Sequence, residues 1–320
     1  MPTGKPEITV NGPLKPAEVA AVLELVSRAA RQDGVMPLSE HVMLQLRYGS
    51  EPGARNVLLW HDGALAGYGH LDITDPAGGA EGEMVIDPPV RGRGLGRALG
   101  QALSDEAGSA GLQVWAHGDL PAAARLAAAA GFHRSRALWQ MRRSLADPIG
   151  EPRLADGMTV RTFRVGQDED AWVALNHRAF ARHPEQGAWT RTDLEIRERE
   201  PWFDPDGFFL AERDGAIVGF HWTKIHSGTS ESGGAPGQGD EPIGEVYVVG
   251  VDPSAQGTGL GRALTVIGLR YLRDRGLDQV MLYVDETNSA AIRLYESLGF
   301  THGSTDVMFA PDAPAAAGTN

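Results

Sequence analysis

The chain of 320 residues contains no cysteine. This absence excludes disulfide bonds, a thiolate nucleophile, and zinc or iron–sulfur sites that are held by cysteine. The ten histidines form no H-E-x-x-H pattern, so the sequence does not indicate a metal site. A reducing compartment is compatible with the absence of cysteine.

Long apolar runs and basic side chains are also scarce. No apolar run approaches the roughly 18 residues of a membrane span, and the opening MPTGKPEITV lacks the charged-then-apolar order of a secretion signal. With 29 basic against 42 acidic side chains, the net charge of −13 disfavours nucleic acid and anionic membranes and favours a cationic small substrate. We expect a cytoplasmic monomer that acts on a small molecule, without nucleic-acid or membrane partners.

A strand, a glycine turn and a helix follow one another in the second half of the chain. The run Val246–Val251 is typical of a strand and ends at Asp252-Pro253, where proline cannot continue the ladder. Glycine then occupies alternate positions in Gln256–Gly261, and apolar residues recur with helical spacing from Leu260. Such a turn points consecutive backbone N–H groups at one spot near the positive end of a helix, which suits a pyrophosphate.

The first half of the chain repeats this pattern about 165 residues earlier. Met84–Ile86, Asp87-Pro88 and Arg91–Gly96 match the strand, its end and the glycine turn. Each copy also has an upstream strand pair joined by Asp-Gly, a hairpin signal. The period is too long for a solenoid. We predict an α/β fold of two tandem domains, residues 1–146 and 158–320, joined by a Pro- and Gly-containing linker, 147–157. Each domain is predicted to be a mixed, mostly antiparallel sheet flanked by helices.

Periodicity predicts the local structure around the two turns. The predicted helices and strands of the first copy are helices 16–32 and 39–46 and strands 56–60 and 65–73. Those at the start of the second copy are strand 159–163 and helix 168–181. The glycine-rich insertion 227–239 is predicted to be a mobile loop near the site or a plain surface insertion.

The form Q-x-x-G-x-G after Asp-Pro resembles the acetyl-coenzyme A loop of the GNAT superfamily of N-acetyltransferases. It matches neither G-x-G-x-x-G nor the nucleotide-triphosphate loop. Taken alone, the motif also fits a plain strand-to-helix turn, but the two copies at matched spacing favour an acetyltransferase. We expect N–H groups near Val249–Val251 to hold the thioester carbonyl and the oxyanion that forms from it.

An acetyl transfer to an amine needs a base for the amine and an acid for the departing thiolate. Glu245 lies seven residues before Asp252, whereas Ala80 occupies that spacing in the first copy. Tyr295 lies four residues before Gly299, a position that alanine takes in the first copy.

By this count, the first copy has neither the base nor the acid that acetyl transfer needs. It does own Glu83, but a regular strand would put that residue on the opposite face. Asn288 is likewise replaced by Leu120. A solvated Glu245 and a core Tyr295 are the alternatives that spacing leaves open.

Four further motifs resemble the mycothiol synthase family of tandem-domain acetyltransferases. They are His183–Gly187, Trp202–Gly207, Gly219–Lys224 and Leu282–Val284, and the similarity covers nearly the whole chain. The resemblance implies transfer of acetyl from acetyl-CoA to the cysteinyl amine of a cysteine-glucosamine-inositol pseudodisaccharide. It implies that Glu40, Glu185, Lys224, Glu245 and Tyr283 hold this acceptor.

The same resemblance implies two acetyl-CoA sites. The site of the second copy comprises Val249, Gly250, Val251, Gln256, Gly257, Thr258, Gly259, Leu260, Gly261, Arg262, Asn288, Ser289, Ala290, Ala291, Ile292 and Arg293. The site of the first copy, which the family keeps without catalysis, comprises Met84, Val85, Ile86, Arg91, Gly92, Arg93, Gly94, Leu95 and Gly96.

Without a cysteine, direct attack in a ternary complex is favoured over a ping-pong route. The residues alone leave two alternatives open: an acetyltransferase for another amine, such as an aminoglycoside or a protein N-terminus, and an acyl-CoA sensor without catalysis. Lys224 could orient a substrate oxygen or pair with a glutamate.

Overall fold

The computed structural model describes residues 5–49, 53–73, 79–181, 183–227 and 241–312. The predicted loop 227–239 lies outside these residues except for Ser227. None of the helices in the described ranges is long and apolar enough to cross a membrane.

The described residues divide into two compact units that do not follow the sequence repeats. The first unit contains those up to Trp139 and from Ser304 onwards, and the second contains the rest. The last strand of the second repeat therefore belongs largely to the first unit. The boundaries at 146 and 157 concern the repeated sequence and stay a prediction.

The first unit is a mixed sheet with helices on both faces. Its strands are β1 (Glu7–Asn11), β2 (Arg55–His61), β3 (Ala64–Asp72), β4 (Ala80–Ile86) and β5 (Leu112–Ala116). Its helices are α1 (Pro16–Asp33), α2 (Glu40–Tyr48), α3 (Leu95–Ala107) and α4 (Pro121–Ala129). The strand β6 (Phe132–Ser144) starts in this unit and continues into the second.

The second unit repeats that plan. Its strands are β7 (Met158–Thr162), β8 (Phe208–Arg213), β9 (Ala216–His226), β10 (Ile243–Val251) and β11 (Gln279–Asp285). Its helices are α5 (Glu169–Ala179), α6 (Pro184–Gly187), α7 (Arg191–Arg197), α8 (Leu260–Asp274) and α9 (Ser289–Ser297). The final strand is β12 (Thr301–Pro311), whose residues from Ser304 lie in the first unit.

The two units share one strand topology. The strand order is β1-β2-β3-β4-β5-β12 in the first unit and β7-β8-β9-β10-β11-β6 in the second. The pairs β4–β5 and β10–β11 are parallel, and the other registered pairs within the units are antiparallel. The predicted α/β class with mixed, mostly antiparallel sheets is confirmed.

Both predicted hairpins are present. The turn residues Asp62 and Gly63 have φ of 52° and 78°, and Asp214 and Gly215 have φ of 53° and 78°. Two consecutive left-handed residues form the turn whose twist matches that of the flanking strands, and Asp-Gly tolerates it best. The Asp-Gly pairs therefore place β2 against β3 and β8 against β9 in antiparallel register.

Each sheet buries one core under each of its faces. In the first unit, α1 packs over Leu58 and Tyr68, and α3 packs over Val57 and Leu71 on the other side. In the second unit, an aromatic core includes Trp172 of α5, which contacts the rings of Phe208 and Trp222. Burying each such ring contributes about 1.5–3 kcal/mol, so these cores stabilise the sheets.

Candidate functional site

The two glycine turns have the same backbone conformation. Gly92 and Gly94 have φ of 76° and 83°, and Gly257 and Gly259 have φ of 78° and 82°. A Cβ at any of these four positions would meet nothing within 4 Å, so the left-handed backbone and not crowding calls for glycine. The helices α3 and α8 begin at the next residue. Both loops thus present N–H groups at an open, positive helix end, which fits a pyrophosphate.

An arginine–aspartate pair fixes each loop from the neighbouring helix. Arg28 Nε lies 3.0 Å from Asp87 Oδ1 in the first unit, and Arg178 Nε lies 2.8 Å from Asp252 Oδ2 in the second. The backbone N–H of Ser254 and the Arg178 guanidinium lower the pKa of Asp252 to about 2. The residue that ends β10 is therefore ionised at neutral pH and holds α5 to the start of the loop.

The backbone donors before each loop point to the same side of their strand. The Asp252 N–H donates to the Val218 carbonyl of β9 at 2.9 Å. Because donors alternate along an antiparallel strand, the N–H groups of Val249 and Val251 point towards the β11 side. The strands β10 and β11 pair at Gly244 and Glu245. The N–H groups of Val249 and Val251 lie beyond this paired stretch.

The first unit repeats this arrangement. The Asp87 N–H donates to the Ala66 carbonyl at 2.9 Å, which turns the N–H groups of Met84 and Ile86 towards β5. Each unit can therefore offer two strand N–H groups to a carbonyl oxygen.

A β-bulge distinguishes β10 from β4. Along β9 and β10, the register shifts between Val246 and Val248, which makes Tyr247 an extra residue. The pairing of β3 with β4 shows no such shift.

The bulge corrects the count that assigned Ala80 to the position of Glu245. Glu245 pairs with Lys224 and Met281, and the residue with the equivalent two partners in the first unit is Glu81. Counting residues back from each Asp-Pro pair gave Ala80 instead of Glu81. The count was one residue off because the extra residue, Tyr247, lies between Glu245 and Asp252.

The prediction that Glu83 lies on the opposite strand face is also wrong, because it used the same residue count. Glu83 is two residues from Glu81, so the two carboxylates share a strand face. The first unit therefore keeps a carboxylate at the equivalent position, but its cross-strand partner is Asp72 where Glu245 has Lys224.

Glu83 belongs to a buried ionic cluster. Its Oε2 accepts the Ser39 N–H at 2.6 Å and lies 3.6 Å from His117 Nε2, an ion-pair distance. His117 Nδ1 lies 2.9 Å from Asp306 Oδ2. Burial alone would lower the pKa of His117, but the carboxylates of Asp306 and Glu83 raise it to about 10. The imidazolium thus occupies the polar interior of the first unit beside β4.

Glu245 lies in a contrasting environment in the second unit. Its side chain is 8% exposed, and its Oε2 lies 2.6 Å from Nε2 of His226. Lys224, opposite Glu245 across the strands, places Nζ 4.4 Å from the Trp202 ring centre and 5.3 Å from that of Tyr247. Glu245 is therefore a buried, partnered carboxylate and not a solvated one.

Sequence reasoning gave no role to His226 or Tyr247. The signal for His226 was its place two residues after Lys224 on one strand, which puts both on one face. Nothing in the spacing of residues along the chain predicts that Tyr247 is an extra residue in β10.

Tyr295 lies on α9, which Asn288 caps by accepting the Ala291 N–H at 3.1 Å. The Tyr295 side chain is half-buried beside Phe300, with ring centres 5.8 Å apart, and burial raises its pKa to about 12. In the first unit, Leu120 precedes α4 and provides no side-chain cap, and alanine replaces the tyrosine.

The other predicted acceptor residues lie in different places. Tyr283 is 39% exposed, shares a strand face with Met281, and its hydroxyl accepts from Gln140 Nε2 at 2.9 Å. The second unit thus brings Lys224, Glu245 and Tyr283 to one face of its sheet. Glu185 lies within α6, and Glu40 begins α2 in the first unit. No group of three potential metal ligands occurs among the described side chains.

Comparisons with known proteins agree with this geometry. Residues 20–132 and 172–300 match the acetyltransferase (GNAT) family. A mycothiol acetyltransferase of Acidothermus cellulolyticus is 58% identical over 307 residues, 94% of each chain. One of Thermobispora bispora is 59% identical over 294 residues, 92% of this chain and 96% of the relative.

Solved structures with the same fold include two acetyltransferase-like proteins. A GCN5-related N-acetyltransferase from Sphaerobacter thermophilus has a TM-score of 0.65 and 26% identity over 94% of each chain. A tandem GNAT protein from the clavulanic acid biosynthesis pathway has a TM-score of 0.70 and 22% identity, over 97% of this chain and all of that one. The second shows likeness of fold only.

Proposed function

Because the chain belongs to the GNAT acetyltransferase family, among its mycothiol acetyltransferases, we propose that it acetylates the cysteinyl amine of a cysteine-glucosamine-inositol pseudodisaccharide. The acetyl donor is acetyl-CoA, the co-substrate of the family. The observation that carries the proposal is the buried Glu245, in the same unit as an intact phosphate loop and two strand N–H donors. A sensor without catalysis has no need of a buried carboxylate opposite a lysine, a pair that the first unit lacks.

Acetyl-CoA would be held by the loop and the strand end of the second unit. The N–H groups of the loop 256–262 would bind the pyrophosphate, and those of Val249 and Val251 would hold the thioester oxygen. Asn288 would support this indirectly, since its cap fixes the first turn of α9.

The acceptor would lie on the face of the sheet that carries Lys224, Glu245 and Tyr283. An ammonium group favours a carboxylate, and the hydroxyls of an aminosugar favour partners that both donate and accept hydrogen bonds. We include Glu40 and Glu185 in the acceptor set on the basis of family resemblance.

Glu245 would act as the base. An α-amine has a pKa of about 7.7–8.0, so the carboxylate, directly or through a water, need only remove a loosely held proton. The neutral nitrogen then attacks the thioester carbonyl, and the strand N–H groups stabilise the oxyanion. With no cysteine in the chain, this attack is direct.

Tyr295 would stabilise the departing thiolate. A free thiol has a pKa of about 8.5, well below the value of about 12 that burial gives this phenol. Complete proton transfer from Tyr295 is therefore unfavourable, and its role is to donate a hydrogen bond to the developing negative charge.

The first unit would bind acetyl-CoA without turnover, since it shares the loop but lacks a tyrosine on α4 and a lysine opposite Glu81. We further propose that the protein is cytoplasmic, because its donor acetyl-CoA is made inside the cell, and that it is a monomer. Size-exclusion chromatography with light scattering would test the oligomeric state.

The deciding experiment is an acetyl-CoA turnover assay with a panel of amines. We expect the cysteinyl pseudodisaccharide to exceed an aminoglycoside and a peptide N-terminus in kcat/KM by at least roughly a hundredfold, because its hydroxyls pair with buried polar groups. Equal rates with all three amines would contradict the substrate assignment but leave the acetyltransferase assignment intact. No turnover with any amine, alongside tight acetyl-CoA binding, would instead support a sensor.

A further inference from the structure

His226 is a buried side chain next to the proposed base that the reaction scheme does not use. It lies at the end of β9, two residues past Lys224, and its side chain is 8% exposed. Its Nε2 lies 2.6 Å from Oε2 of Glu245. This is a short contact between two side chains that are both shielded from water.

The register of β9 and β10 explains how the two side chains meet. Lys224 lies directly opposite Glu245, and His226 lies opposite Ile243, which makes it the diagonal neighbour of Glu245. Long side chains reach such a diagonal partner on one face of an antiparallel pair. Two nitrogen-bearing side chains from one strand therefore flank the carboxylate.

The contact with His226 restricts the orientation of the Glu245 carboxylate. A glutamate side chain has three rotatable bonds and would otherwise sample several orientations of its carboxylate. With Oε2 held by His226, fewer orientations of the carboxylate remain, and Oε1 is the oxygen that His226 does not engage. Proton transfer needs such an oxygen within hydrogen-bond reach of the amine or of a bridging water.

We propose that His226 is a positioning residue for the acetyl transfer, which holds Oε2 of Glu245 so that Oε1 faces the acceptor amine. This inference rests on the proposed role of Glu245 as the base. His226 itself does not touch the amine or the thioester in this scheme. It acts through the carboxylate, and a small misplacement of a catalytic group can lower a rate by about a hundredfold.

The first test removes the contact and then restores it. We expect His226→Ala to lower kcat roughly ten- to a hundredfold with KM for acetyl-CoA unchanged. We expect His226→Gln to recover kcat to within a few fold, because the glutamine amide nitrogen can donate from near the Nε2 position. If His226→Gln folds but is as slow as His226→Ala, the positioning role is wrong.

A matched control is available on the same strand. His221 is fully buried on the opposite face of β9, where its Nδ1–H donates to the Leu264 carbonyl at 2.7 Å. His221→Gln should lower the melting temperature without a selective loss of kcat. If it lowers kcat as much as His226→Ala does, loss of a buried histidine and not loss of the Glu245 contact explains both results.

A double substitution separates this inference from the proposed function. If His226 acts through Glu245, adding His226→Ala to Glu245→Gln should lower kcat no further. Independent, multiplying losses would overturn the inference. An inactive Glu245→Gln with a near-normal His226→Ala would overturn it while leaving the base assignment standing. A Glu245→Gln variant with normal kcat would refute the base assignment itself.

Discussion

The two units have kept the same phosphate loop but differ on the strand face beside it. Gly94 and Gly259 share φ within one degree, and each loop is tied to a helix by an arginine–aspartate pair. In contrast, Glu81 faces Asp72 in the first unit, whereas Glu245 faces Lys224 in the second. Binding of a phosphate needs only backbone geometry, while catalysis needs particular side chains, so the two can diverge separately after a duplication.

Both units bury polar side chains on the strand face beside the loop, but these side chains have different partners. The first unit neutralises Glu83 internally with the His117 imidazolium, between β4 and β5. The second leaves Lys224 over aromatic rings and Glu245 against His226. In the first unit the buried charges pair with one another, which favours stability, whereas in the second a buried carboxylate lies beside a lysine and a histidine on the proposed acceptor face.

The largest expected effect comes from charging the two loops in turn. Gly259→Asp should abolish acetyl-CoA binding at the second unit and with it all turnover, because a carboxylate at the helix end repels the pyrophosphate. Gly94→Asp should remove one of two binding events in calorimetry and leave turnover within about twofold. Both positions are open and both have positive φ, so the substitutions carry similar strain. Total loss of activity in folded Gly94→Asp would show that the first site takes part in catalysis.

The equivalent carboxylates give the next largest contrast. We expect Glu245→Gln to lower kcat by roughly 10²-fold or more, the usual range for removal of a general base, and Glu81→Gln to leave it unchanged. Rates should be measured from pH 6 to 9. The loss in Glu245→Gln should shrink towards pH 9, where the amine is already neutral, and a loss that is constant with pH would point to substrate positioning instead.

The ionic cluster of the first unit should affect stability and not catalysis. We expect His117→Gln to lower the free energy of unfolding by about 3 kcal/mol near pH 6, because it leaves two buried carboxylates without a cation. The pKa of His117 is raised to about 10, so its contribution is complete below about pH 6.5 and is lost as pH rises through 10. Urea unfolding of both proteins at pH 6, 8 and 10 should show a difference that decreases with pH. A difference that does not change with pH would mean that packing, and not charge, is the cause.

Tyr295 gives the smallest catalytic effect of the set. Tyr295→Phe should lower kcat by roughly ten- to a hundredfold with acetyl-CoA affinity nearly unchanged, since the hydroxyl acts on charge that is present only in the transition state. The matched change Ala127→Tyr should leave kcat unchanged, as the first unit also lacks the lysine partner. A destabilised Tyr295→Phe with near-normal kcat would identify the tyrosine as a core residue only.

The sequence by itself determined the features that depend on neighbouring residues. The Asp-Gly turns, the strand–glycine–helix order and the helices α1 and α8 follow local rules of backbone conformation and periodicity, and all are present as predicted. The repeat at 165 residues predicted two similar sheets. Glycine also occupies the left-handed positions of both loops, because that backbone conformation is a local requirement.

Only the tertiary structure decided which side chains meet across strands. The bulge at Tyr247 shifts the register by one residue, so Glu81 and not Ala80 corresponds to Glu245, and Glu83 shares its face. The contacts of Glu245 with His226, and of His117 with Asp306, join residues 19 and 189 positions apart. Spacing along one chain determines the face of each residue, but pairing between strands is set by hydrogen-bond register, and a single inserted residue alters that register without changing local periodicity.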